Sequence, residues 1–400
     1  MATRTIWQDV YAGAIDEISA GSLSDHMDRT FDGTSATDFF RATESSGSAA
    51  DADIGIQGLA AGAVQKFGLP LTDHPNFKAP SASLDTEQAR GIASRHTGEF
   101  DTVQAGDPVE FNLPMLGNAY NVSMFSKLLF QGGCTTGAAG SGLQLQTATE
   151  YDSADPIVFG AFCRFMQAAG AGGTIDNVVQ GAVCSSLAMS GEAGNVLTIE
   201  PTIRGAKWSQ ANTASMVTGA ATFDDANNLK YQDCVVAIQH NGSAWVEVFS
   251  PAISVTVTNN AGFTFYNDDQ ANACILGRLA VEGTISIPFS NAAVGQNWAI
   301  DRFLAGDVRK IAWYWGDSGG AFDPGTDFNL GDEIDRYKND SSPTAHKNYV
   351  SVLINAQITD YEVAGDNELM IEASFQGVSD GTTNAITVYS QYDDAKLNRA

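Results

Sequence analysis

The residues best placed to do chemistry are Gly316 to Gly320, which read GDSGG. A serine in that setting can act as a nucleophile, with adjacent backbone N–H groups holding an oxyanion. It then needs a histidine base and an aspartate to orient that base. The five histidines are His26, His74, His96, His240 and His346, and none stands in the context of a catalytic histidine. The motif also follows an aromatic run, Trp313-Tyr314-Trp315, and enters a segment rich in Gly, Asp and Pro. Without its context the motif is weak. It reads as a loop, and no enzymatic activity is expected.

Acidic groups at 51–53, 224–225, 268–269 and 323–335 offer oxygens for a cation. The last lacks the ligand spacing of a calcium loop, with Gly331 at the fifth place counted from Asp327. They read as hydrated loops, and no metal or cofactor is expected. The Gly-rich segments 132–142 and 168–173 have no Lys-Ser/Thr after them, so they are not phosphate loops and read as loop tips. The five cysteines, Cys134, Cys163, Cys184, Cys234 and Cys274, are odd in number, far apart and without a C-x-x-C. That argues against a disulfide framework or zinc site and fits a reducing compartment.

The chain has 47 acids against 21 Lys plus Arg, a net charge of −26. Such a surface does not condense onto nucleic acid phosphates or anionic membranes, because both require cationic side chains. The N-terminus has no apolar stretch of signal-peptide length, and Ile157–Cys163 is too short to span a bilayer. A soluble chain that is not exported is expected. Four hundred residues suffice for more than one domain.

Ile6, Trp7, Val10, Tyr11, Ala14 and Ile15 sit at helical spacing and predict a short amphipathic helix. The polar stretch 45–53 follows, so residues 1–79 read as an arm, or as a first lobe of what comes next. Beyond Pro80 the period-2 alternation of 110–113, 195–203, 254–258 and 284–287 predicts half-buried strands. Asn241-Gly242, between two apolar runs, predicts a hairpin whose turn includes His240. Residues 125–130 and 299–305 predict short helices.

Four echoes run in the same order through the chain. PSASL (80–84) returns as PAISV (251–255), an offset of 171, and EFNLPM (110–115) as TISIPF (284–289), an offset of 174. SKLL (126–129) returns as DRFL (301–304) at 175, and NVLTIEPTIRG (195–205) as NELMIEASFQG (367–377) at 172. So long a period is not a solenoid but a domain present twice. In the last pair Leu197, Ile199 and Ile203 share one strand face, as do Leu369, Ile371 and Phe375. Glu200 and Glu372 then fall on the opposite, polar face. Pro201 takes an inward position without a backbone donor, which predicts an edge or a bulge there.

This order resembles the tail tube (major tail) proteins of long-tailed bacteriophages. In that family a strand precedes a short helix, and a closing hairpin ends in a strand followed by Gly. Here those elements are VEFNLPM, FSKLLF and EAGNVLTIEPTIRG, then VEGTISIPF, AIDRFLA and VAGDNELMIEASFQG. The first copy lacks the Gly before its strand, with Asp107-Pro108-Val109 in its place. The resemblance implies a mainly β chain with two tandem tail-tube-like β-sandwich or barrel domains, each with a short flanking helix. The expected division is an N-terminal arm at 1–79, a first domain at 80–210, a connector at 211–228, a second domain at 229–385 and a tail at 386–400.

What the resemblance implies for function is a virion protein that assembles with itself. Family rings commonly hold six such domains, so three two-domain chains would close a pseudo-hexameric ring. Stacked rings would form the tube through which genome DNA is ejected, without specific binding. Terminator, distal-tail and tape-measure proteins would be its partners, with assembly in the host cytoplasm. Glu200 and Glu372 are then candidate lumen-facing acids. Two other readings stand beside this one: a distal-tail, terminator or virion-surface protein forming a single ring, and an acidic extracellular adhesin.

Overall fold

A computed structural model describes residues 7–20, 23, 27, 66–69, 71–73, 83–84, 102–103, 109–140, 143–152, 157–168, 174–211, 228–229, 234–239, 245–248, 250–265, 271–288, 298–316, 349–364 and 369–393. The chain opens with β1 (Trp7–Ala20), β2 (Lys66–Gly68), β3 (Ser83–Leu84) and β4 (Thr102–Val103). There follow β5 (Val109–Asn112), β6 (Met115–Leu116), helix α1 (Ala119–Phe130), β7 (Cys134–Gly140) and β8 (Leu143–Ala148). The long strands β9 (Val158–Ala168), β10 (Thr174–Glu192) and β11 (Thr198–Ala211) come next. Beyond them lie β12 (Cys234–Gln239), β13 (Trp245–Val248), β14 (Ala252–Thr258), β15 (Gly262–Thr264), β16 (Ala273–Ile275) and β17 (Ala280–Pro288). Helix α2 (Trp298–Ala305), β18 (Val308–Gly316), β19 (Tyr349–Ala364), β20 (Met370–Gly377) and β21 (Ile386–Asp393) complete the order.

Every described strand pairing is antiparallel, and the long hairpins β10–β11 and β19–β20 each serve two layers. One layer runs β5/β6–β11–β10–β14–β17–β20–β19. The other consists of two runs. One is β2–β1–β9–β10, and the other is β13–β12–β18–β19–β21–β8–β7. Between the layers lies one apolar cluster that includes Phe125, Phe162, Ile203, Trp313 and Phe375.

The pairings recur in matched register. Asn112 lies opposite Thr202 and Met115 opposite Ile199; Thr284 lies opposite Ser374 and Ile287 opposite Ile371. Both strands of that pair are displaced by 172 (284 minus 112, 374 minus 202). Each hairpin carries its bulge at the same place, with Ser185 skipped in β10 and Thr359 in β19, an offset of 174. Each bulged hydroxyl donates across the pair, Ser185 Oγ to the Thr202 carbonyl and Thr359 Oγ1 to the Ser374 carbonyl, both at 3.2 Å. A bulge leaves its extra residue outside the ladder and bends the strand. Here it marks where each long strand passes from one layer to the other. Cys163 opposite Val178 likewise matches Trp313 opposite Val352.

The predicted helices form as α1 and α2, and α1 is buried along all 12 residues. Asn118 caps α1 by accepting from the Asn121 N–H at 2.8 Å. Residues 7–15 are a correction: they form β1, not a helix, because β9 supplies a backbone partner along the strand. Gly13 weakens a helix there, and Val10, Tyr11 and Ile15 suit a strand. The Gly-rich tip at 134–140 is a second correction, since it pairs with β8 as β7. The predicted hairpin forms as β12–β13 with Gln239 opposite Trp245, its turn lying outside the described residues. Pro201 is on neither an edge nor a bulge. Its carbonyl accepts from Leu113 N–H at 3.0 Å, so its donor-less nitrogen faces the break between β5 and β6 at Leu113-Pro114, where no ladder bond is lost.

Candidate functional site

The seven-strand layer has two chemically opposed faces because its strands alternate with period 2. Inward lie Ile199, Met189, Val255, Ile285 and Phe375, all buried. Outward, at the intervening positions, lie hydroxyls and carboxylates. Glu110 and Asn112 come from β5; Thr198, Glu200, Thr202 and Arg204 from β11; and Ser186, Ser190 and Glu192 from β10. The face continues through Ser254 and Thr256 of β14, Glu282 and Thr284 of β17, Glu372 and Ser374 of β20, and Asp360 and Glu362 of β19. Among the described residues seven carboxylates (Glu110, Glu192, Glu200, Glu282, Asp360, Glu362, Glu372) thus share the face with one cation, Arg204.

Local bonds keep this surface ordered. Arg204 Nε donates to Glu110 at 2.6 Å and its Nη1 to the Ala261 carbonyl at 2.8 Å. Asn112 Nδ2 donates to Glu200 at 3.1 Å, and Asn195 Nδ2 to Glu192 at 3.1 Å. Hydroxyl pairs bridge neighbouring strands, Ser190 with Thr198 at 2.7 Å and Ser254 with Thr284 at 2.8 Å. The exposed Arg204–Glu110 pair adds little stability, because solvent screens it. What remains is a face of hydroxyls and carboxylates whose charge among the described residues is mostly negative.

Glu200 and Glu372 both stand exposed on this face, at equivalent pairing positions. Four strand spacings separate them across the sheet, about 19 Å at ~4.8 Å per strand, and the register sets them four residues apart along the strands as well, so they form parts of a wall rather than a catalytic pair. Sequence reasoning missed the other five acids. Their signal was present in the repeated Val-Glu of Val109-Glu110 and Val281-Glu282, and in the alternation Asp360-Tyr361-Glu362. Leu369 is a correction to the inward triad, being 49% exposed while Ile371 and Phe375 are buried.

Other candidates have different fates. Trp313, Tyr314 and Trp315 are wholly buried in β18, with the two indoles edge to face at 5.7 Å. They are packing residues. Residues 317–320 of the GDSGG stretch, the five histidines and the acidic groups at 51–53, 224–225, 268–269 and 323–335 lie outside the described residues. Among the described residues no cluster of three metal-ligating side chains occurs. Cys134, Cys184, Cys234 and Cys274 are free thiols. Burial pushes Cys134 and Cys274 up to about 12 and raises Cys184 and Cys234 further, so none is poised as a nucleophile.

A family model described as phage tail tube protein matches residues 39–377, and the chain belongs to that family. It is therefore a structural protein of the virion tail. No curated protein sequence matches the chain.

Proposed function

We propose that the chain carries one tail-tube unit twice and that three chains close into a pseudo-hexameric ring. Rings then stack into the tube of a long-tailed phage, through which genome DNA passes. The matched registers and matched bulges support the duplication. One unit comprises β5, β11 and β10; the other comprises β14, β17, β20 and β19, with β14 laid along β10. The proposed units, 80–210 and 229–385, therefore share a continuous layer, and the segment 1–79 adds β1 and β2 to the other layer.

The observation that carries the conduit reading is the acidic face crossing both units. Duplex DNA bears about one negative charge per 1.7 Å of axis. A wall with cations would exchange them for condensed counterions and hold the duplex at many points. A wall of carboxylates and hydroxyls forms no such ion pairs and lets the duplex slide. Glu200 and Glu372 are then lumen residues. Terminator, distal-tail and tape-measure proteins would meet the tube at its ends and interior, and assembly would take place in the host cytoplasm.

The test replaces Glu200 and Glu372 together by Lys in virions. Tubes of normal length that eject DNA more slowly are expected. Intact tubes with unchanged ejection would remove these residues from the lumen. Negative-stain images of purified protein separate the tube from a single terminator-type ring, since only the former gives long polymers.

A further inference from the structure

The register across the acidic layer sorts its outward side chains into bands. Thr198 lies opposite Ser190, Ser190 opposite Ser254, Ser254 opposite Thr284 and Thr284 opposite Ser374. Five adjacent strands thus place hydroxyls in one row, which ends at Asp360 opposite Ser374. Two residues to one side of the row stand Glu192, Glu372 and Glu362. Two residues to the other side stand Glu200 and Glu282. At ~3.3 Å per residue the two carboxylate bands run about 13 Å apart.

Over this row, beside the β10–β11 turn, the face opens into a cleft of about 510 Å³. The small residues Gly191 and Ala252 leave room for it, and Leu116 and Val196 give it apolar walls. Four of the row's hydroxyls, on Ser190, Thr198, Ser254 and Thr284, line it together with Glu192. Glu192 Oε2 accepts from Asn195 Nδ2 at 3.1 Å, and Oε1 has no protein partner among the described residues. The hydroxyls bond to one another in pairs, Ser190 with Thr198 and Ser254 with Thr284. Each hydroxyl oxygen has two lone pairs, so the row keeps the capacity to accept.

That chemistry selects an occupant. An anion, the DNA backbone included, is repelled by Glu192 and by both bands. A bare metal ion finds no cluster of three ligating side chains among the described residues. An aliphatic ammonium suits every part of the cleft, with N–H donors for the carboxylate and hydroxyls and methylenes for the apolar walls. We propose that the cleft binds a linear aliphatic polyamine. One ammonium sits on Glu192, the methylenes lie against Leu116 and Val196, and a second ammonium passes the hydroxyl row toward Glu200. In the ring such a ligand supplies counter-charge that can leave the wall, whereas a Lys or Arg in its place would be fixed and would hold the duplex. That consequence rests on the conduit reading; the site itself does not.

Titration calorimetry of the full chain with the triamine spermidine tests the site. Binding should saturate at one triamine per chain, and magnesium ion at equal ionic strength should not displace it. Glu192→Gln should weaken binding about 10-fold or more, through loss of a charged hydrogen bond. Ala252→Leu fills the cleft and should do the same. Glu192 is exposed, so its variant keeps the wild-type melting curve and the test stands whatever Ala252→Leu does to folding. Glu362→Gln removes the same charge four strands away from β10 and should leave the affinity unchanged. Equal weakening by Glu192→Gln and Glu362→Gln, or displacement by magnesium, would mean diffuse screening and overturn the site. A cleft that takes a lysine–leucine peptide but gives no heat with spermidine would be a polypeptide site and overturn the proposal too. Each of these outcomes leaves the conduit reading standing. Unchanged ejection in the Glu200→Lys, Glu372→Lys virions overturns that reading and leaves the cleft standing.

Discussion

Asn259 sits wholly buried between the two proposed units and uses both ends of its amide. Its Nδ2 donates to the carbonyls of Leu129 and Cys184, and its Oδ1 accepts from the Ala261 N–H, each at 2.9 Å. Replacement by Ala orphans three buried backbone groups, each worth about 1 kcal/mol or more when unsatisfied. Asn259→Ala should therefore lower stability by about 3 kcal/mol in chemical denaturation, with the two units loosening together. Cys134 gives a pH prediction. Its thiol is held protonated by burial up to about 12 against an ordinary 9.0. The unfolded chain loses that proton first, so this stabilisation is complete below about 9 and is lost as pH rises toward 12. Thiolate absorbance of the folded chain should stay low at pH 10 and rise at once on adding denaturant. Absorbance already at its unfolded level in the folded chain would mean that these thiols are open to solvent.

At the scale of elements, matched positions have diverged while pairings have not. Phe111 lies opposite Ile203 in the first unit, whereas Gly283 lies opposite Phe375 in the second. The Phe375 ring occupies the space a Cβ on Gly283 would take, and the Ser254 carbonyl closes it from the other side. Gly283→Ala should thus destabilise by about 1–3 kcal/mol through overpacking, visible as a lower melting temperature. The paired change Gly283→Ala with Phe375→Leu should recover part of it. The same divergence explains what the sequence did and did not reveal. Alternation at 254–258 and 284–287 exposed the strands, and the Leu-x-Ile-Glu repeat exposed the closing strand. Comparing EFNLPM with TISIPF suggested an offset of 174, but pairing requires 172, because Val109-Glu110 matches Val281-Glu282. The strand at 7–20 and the hairpin at 134–148 were hidden for a different reason. Both are fixed by partners distant in the chain, β9 for one and β21 for the other, and local periodicity holds no record of such partners.

At the scale of the whole molecule, charge and assembly oppose each other. The chain carries a net charge of −26, and among the described residues its wall holds seven carboxylates against one guanidinium (Glu110, Glu192, Glu200, Glu282, Asp360, Glu362, Glu372; Arg204). In the proposed ring, closure would curl that wall inward and bring like charges of neighbouring copies toward one another. Burial of apolar surface between copies would have to outweigh this repulsion, and the two terms respond differently to salt. Repulsion between carboxylates exposed to solvent is felt over ~30 Å at 0.01 M salt but only ~8 Å at 0.15 M. Burial of apolar side chains such as the exposed Leu304, Val363 and Leu369 would not be weakened by that change, since apolar transfer does not depend on screening. Association of the purified chain should therefore strengthen as salt rises from about 0.01 to 0.15 M, read as growing mass in light scattering. Glu200→Gln with Glu372→Gln should flatten that dependence, because part of the repulsion is gone. Rings that fall apart on adding salt would instead mean that ion pairs hold the joint, and the acidic wall would then be an outer surface rather than a lumen.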